Sequence, residues 1–575
     1  MNSRLIIIFL IFLGLSQALN AQSIKLNPQL VSGGNILSAE ITPDGRYVLY
    51  TADQETDGIT ELYRIPINGG TPVKMNLDIS ISTGDVQGYT ISPDSQYLVY
   101  WGNITNAYYD ELYSVPIEGG VTHRLNCRTR DLQVLSRGGP SIVQGVSITP
   151  DSQRVVFEHD HLNFLEFRIY SAPIDEDAPT TFDPNSSSPR FLCGREGTLE
   201  MTPYNVSTRQ PIIKYEISPD SEHIVYSYSS FDDDDSRLYS SNLNSLGATM
   251  LNSNAQIGGR QLFTISPDSN SVVFSAETNN NGLFSLYSTG IDVESNPTSL
   301  NTTTLEASRK YDFTPTITAD SQRVVYTSKS LPTEPYQLYS VPIDASSPPL
   351  NLYPETLFGF GSASSFDNLS FKLSPDTQSV VYTRDHDTRG LFDLYFLNST
   401  DSTTNPVRLT NLPLGNREIK NFYFSPDGSR VVYKGEMIND NQADLFSVSI
   451  NGGESIKLNP DLENDQDVAD YRITPNGAYT LFEIGSDNGR QIDGGLFAIP
   501  TAGGDLIQVH DNLINGGTIT SFTISEQGNQ VVYLADIENS GTRELYLFEL
   551  PELPTEDEIC LPIKAKNNSI AVICL

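Results

Sequence analysis

The sequence predicts an all-β protein, a β-propeller of about ten four-stranded antiparallel blades. Three observations predict it. One ten-residue phrase recurs ten times, at intervals of 48–57 residues with a single interval of 69. A repeat of strands and turns at that period signals a radial β array. A second phrase, typified by ELYSVPI (Glu111–Ile117), follows each copy of the first. No long segment spaces its apolar residues as a helix would.

The elements follow in order. Residues 1–21 read as an export signal: Arg4 is the lone charged side chain, Leu5–Leu15 is an apolar run too short to span a bilayer, and small residues place cleavage after Ala18 or Ala21. The mature chain is therefore expected in a periplasmic or secreted space, without membrane insertion. Residues 22–550 carry the repeats. In the second unit, GYTIS (Gly88–Ser92) is a short strand A, and Pro93-Asp94 turns the chain. Proline sets φ for the turn, and Ser92 or Asp94 can accept from local backbone N–H groups. YLVYWG (Tyr97–Gly102) is strand B, ELYSVPI is strand C, Gly119-Gly120 turns again, and VTHRLN (Val121–Asn126) is strand D. Strands B and C are apolar throughout because blades stack face to face. The 69-residue interval, Asp151 to Asp220, holds a stretch rich in Pro, Ser and Thr (Asp175–Arg209) that reads as a surface insertion. Residues 551–575 form a C-terminal hairpin.

The chain ends carry the closure argument. SIKLN occurs at Ser23–Asn27 and again at Ser455–Asn459, where it is strand D of the eighth unit. The mature chain thus begins with a strand D that has no A, B or C before it, while the tenth unit stops after strand C at Pro551. One closed ring follows if the first strand completes the last blade, which also removes the free edges. The alternatives are two smaller rings, with the insertion as linker, or a last strand donated by the C-terminal hairpin.

Composition narrows the partners. The chain holds 35 basic and 71 acidic side chains, a formal net charge of −36. Such a surface repels phosphate backbones and anionic lipid, so nucleic acid is not an expected ligand. Four cysteines suit an oxidising compartment. Cys560 and Cys574 flank a two-strand hairpin and are expected to pair. Cys127 and Cys193 each follow an Arg by three residues, in RLNC and RFLC, and form a second candidate pair.

The paired phrases ISPDSQYLVY and ELYSVPIEGG resemble the PD40 repeat, the WD40-like propeller repeat of the periplasmic TolB family. The resemblance covers roughly residues 23–550 but not the α/β domain that precedes the propeller in that family. It implies the fold, export, and protein docking on a propeller face. Similar propellers precede the hydrolase domain of dipeptidyl-peptidase-IV-like enzymes, but no hydrolase domain and no Gly-x-Ser-x-Gly elbow follows here.

Sites with distinctive chemistry are few. The Pro-Asp residues repeat in every unit, and a catalytic site needs a unique constellation, so they read as turn residues. Asp53, Glu55 and Asp57 alternate before Gly58 as in the opening of a calcium loop, yet Arg64 stands where that loop would need its closing Glu. Asp536, Glu538 and the run Asp232–Asp235 echo the pattern. His159 and His161 are placed in a loop after strand B, where with Glu158 they could hold a transition metal; Asp385-His386-Asp387 sits similarly. No cofactor is expected, with Ca²⁺ the one weak candidate. Tyr108 and Tyr109 fall outside the repeated aromatic positions and are candidate contacts. The leading expectation is an exported, non-enzymatic module that binds a protein, peptide or polysaccharide on one rim. The alternative is a metal-dependent lyase or hydrolase in the central channel or on a rim. Convergence of His, Glu and Arg from several blades at the channel would favour the enzyme; a lining of small and Ser/Thr side chains would favour binding.

Overall fold

A computed structural model of the chain describes residues 23–574 apart from 80–83, 106–109, 127–142, 161–166, 177–198, 203–211, 230–235, 253–262, 278–283, 295, 302–314, 329–336, 353–369, 385–391, 400–405, 411–417, 440–441, 464–465, 487–494, 512, 514–516, 540, 554–559 and 565–569. The described residues hold strands and no helix, arranged as ten four-stranded antiparallel sheets and one separate two-stranded hairpin. The sheets are the blades of a ten-bladed β-propeller.

Each of the first nine blades runs A-B-C-D in chain order. The second has A at Val86–Ile91, B at Tyr97–Gly102, C at Glu111–Pro116 and D at His123–Arg124. The tenth consists of Ile519–Ile524, Gln530–Ala535 and Glu544–Glu549, and its fourth strand is Ile24–Lys25 from the N-terminal end. Ile24 pairs with Leu547 and Lys25 with Tyr546. Leu26 N–H donates to Leu545 O at 2.8 Å, and Leu545 N–H donates to Asn27 Oδ1 at 2.7 Å. The closure expected from SIKLN is the one observed. The C-terminal hairpin, Cys560–Lys564 with Ile570–Cys574, pairs only with itself, and Cys560 stands opposite Cys574 in its register.

Packing explains why strands B and C carry so little polar residue. In every blade an aromatic of B stacks on its register partner in C, from Tyr433–Phe446 at 5.3 Å between centroids to Phe482–Phe497 at 5.8 Å. Aromatic pairs of this kind add about 0.5–1.5 kcal/mol beyond the area they bury. The apolar core is divided into clusters that each span two adjacent blades. One joins Val532, Leu534, Leu545 and Leu547 of the tenth blade to Ile36, Val48, Tyr50 and Tyr63 of the first, so the junction made by the chain ends is packed like the others.

The turn between A and B spans five residues in all ten blades. Ser92 Oγ donates to Asp94 Oδ1 at 2.6 Å, Gln96 N–H donates to the same oxygen at 3.0 Å, and Tyr97 N–H donates to Ser92 Oγ at 2.9 Å. The same staple holds Asp320 and Asp376, whose carboxyls the hydroxyls of Thr318 and Ser374 keep below the usual carboxylate range. The residue after the Asp is left-handed: Ser95, Ser152, Ser221, Ser269, Ser321 and Thr377 have φ of 57–64°, and four other blades use Gly45, Gly428, Gly477 and Gly528. A type I turn followed by one left-handed residue matches the twist of a hairpin.

These turns touch one another around the whole ring. Asp44 N–H donates to Ser95 Oγ, Asp94 N–H to Ser152 Oγ, Asp151 N–H to Ser221 Oγ, Asp220 N–H to Ser269 Oγ and Asp268 N–H to Ser321 Oγ, all at 2.9–3.1 Å. In the sixth blade the phrase has Ala319 in place of proline, and its N–H donates to Thr377 Oγ1 at 3.0 Å. Pro375 and Pro426 pack against Gly428 and Gly477, Asn476 Nδ2 donates to Gln527 O at 2.9 Å, and the Gln527 amide lies against Gly45. The belt closes from tenth blade to first, which is one ring and not two.

The outer strands correct one reading. The stretch Asp175–Arg209, read as a surface insertion, contains the third blade's strand D, Leu199–Glu200. In five other blades an acid near the start of strand C pairs with a base in D, as in Glu111–Arg124 at 2.8 Å, Asp444–Lys457 at 3.0 Å and Glu544–Lys25 at 2.5 Å. In the third blade Arg168 opens strand C and Glu200 answers it. Cys127 and Cys193 themselves lie outside the described residues.

Candidate functional site

Strand A is the edge strand of each sheet, and the A strands of the tenth and first and of the second and third blades lie against one another, which puts A on the inner side of the ring. Its variable row consists of the residue before the Ile, Leu or Phe that opens each phrase, exposed at Glu40, Lys372, Tyr423 and Arg472 and half-buried in the other blades. That row is charged in four blades (Glu40, Glu216, Lys372, Arg472), carries a hydroxyl in five (Thr90, Ser147, Thr264, Thr316, Thr523), and is Tyr423 in the eighth. The structural positions of the repeat are nearly constant. This row is not.

Its side chains lean onto the next blade. Glu216 Oε2 accepts from Ile265 N–H at 3.1 Å and pairs through Oε1 with Lys214 at 2.6 Å, while Lys214 Nζ lies 4.7 Å above the Phe263 ring. Lys372 Nζ sits 5.1 Å from the Tyr423 centroid, and Tyr423 meets Tyr471 edge-on at 5.7 Å. Arg472 places its guanidinium 4.6 Å from the Phe522 ring and donates to Phe522 O at 3.1 Å. Tyr423 is 46% exposed, whereas the other described strand aromatics are buried or half-buried.

The eighth and ninth blades concentrate the unusual chemistry. In the ninth, Val468 pairs with Ile484 and Tyr471 with Phe482, so Ala469 and Asp470 together oppose Glu483. This is a β-bulge, a device that re-aims side chains. Lys434 of the eighth blade donates to Ala469 O at 2.8 Å and secures it. Glu483 is 8% exposed and makes no hydrogen bond or ion pair with a described residue. Burial, then the Asp470 charge, push its carboxyl up to about 7, with Arg472 opposing the shift. Burial lowers the Lys434 ammonium. Glu158, at the same strand position in the third blade, is also raised by burial but accepts from Gln144 Nε2 at 3.1 Å.

The two rims differ. One carries the uniform A–B turns and C–D links of six to eight residues, apart from the 25-residue link of the third blade. The other carries B–C links of two to eight residues and D–A links of 8 to 19. Variable loops on a rigid scaffold are where binding residues collect.

The candidates named from sequence are dispersed. Asp53 is a loop staple: Oδ1 accepts from Asn35 N–H at 2.5 Å and Oδ2 from Gly58 N–H at 3.1 Å. Asp536 does the same in the tenth blade for Thr518 and Gly541. Glu55 pairs with Lys74 at 2.9 Å, and the Asp57 carboxylate lies against Gly33. His159 is not in a loop: strand B of the third blade runs on to Asp160, and His159 is buried with its ring edge-on to Tyr170. His161, Tyr108, Tyr109, Asp232–Asp235 and Asp385-His386-Asp387 lie outside the described residues. Among the described residues, the one group of three metal-capable side chains is Asp220, Glu222 and His223, on the fourth A–B turn, where Asp220 already staples the turn.

Sequence reading missed the Asn that ends strand D. Asn76, Asn126, Asn252, Asn301 and Asn459 each accept from the N–H of the leucine in strand C, as Asn27 does at the closure. The recurrence of Leu-Asn was the available signal. It also missed Tyr423, Asp470, Arg472 and Glu483, whose signal is departure from the repeat.

No family model and no curated protein matches this chain. Several solved structures resemble it. A eukaryotic initiation factor superposes with a TM-score of 0.40 at 11% identity, over 75% of this chain and 90% of that one. Oligogalacturonate lyase from Vibrio parahaemolyticus gives 0.35 at 13% identity, over 72% and 97%. Porphyromonas gingivalis dipeptidyl peptidase 4 gives 0.45 at 11%, over 87% of this chain and 64% of that one. At these values the likenesses assign no activity.

Proposed function

We propose that this chain is an exported, non-enzymatic binding or scaffolding module for a protein, peptide or polysaccharide partner. One observation carries the reading. Turn staples, aromatic stacks and Asn caps recur around the ring, while the strand A residue before each phrase changes from blade to blade. Positions needed for folding are thereby separated from positions available to a ligand. The leading apolar segment and the TolB-like phrases support export to a periplasmic or secreted space.

The reading is tested in two steps. Mass measurement of the protein from the extracellular or periplasmic fraction is expected to give an N-terminus just after Ala18 or Ala21; an intact Met1 there would contradict export. Capture from the same fraction with the wild-type ring and with Arg472→Ala is expected to yield a partner that the variant retains less well. Equal retention by both would remove the channel wall from the reading.

A further inference from the structure

The A–B turn of the fourth blade brings Asp220, Glu222 and His223 together. One ligand atom of each, a carboxylate oxygen from the two acids and an imidazole nitrogen from the histidine, lies within 4.8 Å of the other two. The turn engages Asp220 through one oxygen only: Oδ1 accepts from Ser218 Oγ and from Glu222 N–H at 3.0 Å, and Oδ2 stays available. Both neighbouring blades hold the turn in place, since Ser221 Oγ accepts from Asp151 N–H at 3.0 Å and Asp220 N–H donates to Ser269 Oγ at 3.0 Å. Glu222 is exposed, and its carboxylate makes no hydrogen bond or ion pair with a described residue.

A second observation sets this turn apart. In the third, sixth and eighth blades the residue that opens strand B is an arginine, and its Nε donates to a serine of strand C: Arg154 to Ser171 at 2.7 Å, Arg323 to Ser340 and Arg430 to Ser447 at 2.8 Å. The fourth blade has the same register, with Val225 opposite Ser240 as Val156 is opposite Ser171, so His223 and Ser240 are the corresponding pair. They do not meet. Ser240 is 2% exposed, and its Oγ has no hydrogen-bond partner among the described residues. The same holds for His223 Nδ1, an atom closed off from solvent. Buried polar atoms without partners destabilise a fold. An arginine here would satisfy Ser240. Histidine forfeits that bond, and what it gains is a nitrogen beside two exposed carboxylates.

We infer that Asp220, Glu222 and His223 bind a divalent transition-metal ion of the zinc class. One imidazole and two carboxylates form a donor set that zinc accepts, whereas calcium and magnesium take oxygen ligands. Ligand atoms on a tetrahedral zinc stand roughly 3.2–3.6 Å apart, a contraction that rotation of the exposed Glu222 side chain supplies. Nδ1 is closed to solvent, so the ion takes Nε2. The proton is then fixed on Nδ1, and a small turn of the ring toward Ser240 Oγ gives both orphaned atoms a partner. Three protein ligands leave a position on the ion open to water or to a donor group of a partner. This inference goes beyond the binding function proposed above and does not rest on it.

The test uses the full mature chain, freed of metal by a chelator and dialysed into excess Mg²⁺, which occupies the many other carboxylates. Titration calorimetry with Zn²⁺ is expected to show one site per chain. Glu222→Gln and Asp220→Asn are each expected to weaken it about tenfold or more. Asp220→Asn keeps the turn, because Asn476 makes the same staple in the ninth blade. His223→Arg, which installs the side chain found in the third, sixth and eighth blades, is expected to abolish zinc binding and leave the ring folded. Zinc is expected to raise the unfolding midpoint of wild type and not that of His223→Arg. Glu454→Gln, on the C–D turn of the eighth blade, is expected to change nothing. Absence of a zinc site at high micromolar concentration overturns the inference. So does a site that Glu222→Gln and His223→Arg leave intact, since the ion would then be held by the acidic surface at large. Either failure leaves the export and capture tests of the proposed function unaffected.

Discussion

The backbone N–H of Asp44 donates to the Ser95 hydroxyl at 3.0 Å, across the boundary between the first and second blades. Ser95 is itself left-handed, with φ of 60°, a conformation that disfavours most side chains. The serine is kept where glycine would fit more easily because its hydroxyl joins two blades. Ser95→Ala retains the backbone strain and loses the acceptor, and is expected to cost roughly 1–2 kcal/mol. Ser95→Gly loses the same bond but relieves the strain, and is expected to cost less. Denaturant midpoints of the two variants check the order; a more stable Ala variant would contradict it.

Ring closure depends on few residues, and Asn27 is the most exacting. Its Oδ1 accepts from the buried Leu545 N–H at 2.7 Å. Asn27→Ala strands that donor, with an expected loss of about 1–3 kcal/mol. Asn126→Ala makes the same change inside the second blade, where the strand is continuous with its own blade. Limited proteolysis is expected to open the tenth blade first in Asn27→Ala and not in Asn126→Ala.

Glu483 makes stability depend on pH. Its carboxyl is raised from the ordinary 4.5 to about 7, so the folded protein holds a proton that the unfolded chain releases across that window. Stability therefore falls as pH rises through the window, and the loss is complete above the folded value, at roughly 3 kcal/mol. Glu483→Gln is expected to gain nothing at about pH 4 and to unfold later than wild type at about pH 8. Equal midpoints at the higher pH would show that the carboxyl is not held neutral.

Gly88 is required for close approach. A Cβ there would lie 2.3 Å from Trp101 Cζ2, on the facing strand. Gly88→Ala is expected to destabilise by about 1–3 kcal/mol and to shift the emission of the chain's single tryptophan. In the Trp101→Leu background the same change is expected to cost much less, so the double-mutant cycle reports the coupling directly.

The register that sets Cys560 opposite Cys574 supports a disulfide in the C-terminal hairpin. Peptide mass mapping without reductant is expected to find the two cysteines linked. The hairpin pairs with no blade, so reduction is expected to leave the ring's unfolding midpoint unchanged.

Much of the fold was legible because a propeller repeats its local rules. Each Pro-Asp turn, each aromatic of strands B and C and the displaced SIKLN strand identified itself by recurrence. The third blade's strand D, Leu199–Glu200, escaped because it lies inside the Pro-, Ser- and Thr-rich stretch Asp175–Arg209, whose composition hides a two-residue strand. His159 escaped because strand B runs past its usual end there.

The sequence by itself determined the blade, the number of blades and the strand that closes them, since these follow from hydrogen bonding and side-chain alternation within about fifty residues. Tertiary structure alone decided which departures from the repeat meet. Tyr423 and Tyr471 are 48 residues apart and meet edge-on because adjacent A strands lie side by side, while Glu483 opposes Asp470 because a single extra residue bulges the strand opposite it. Burial and proximity of that kind arise from the closed ring, and no local pattern encodes them.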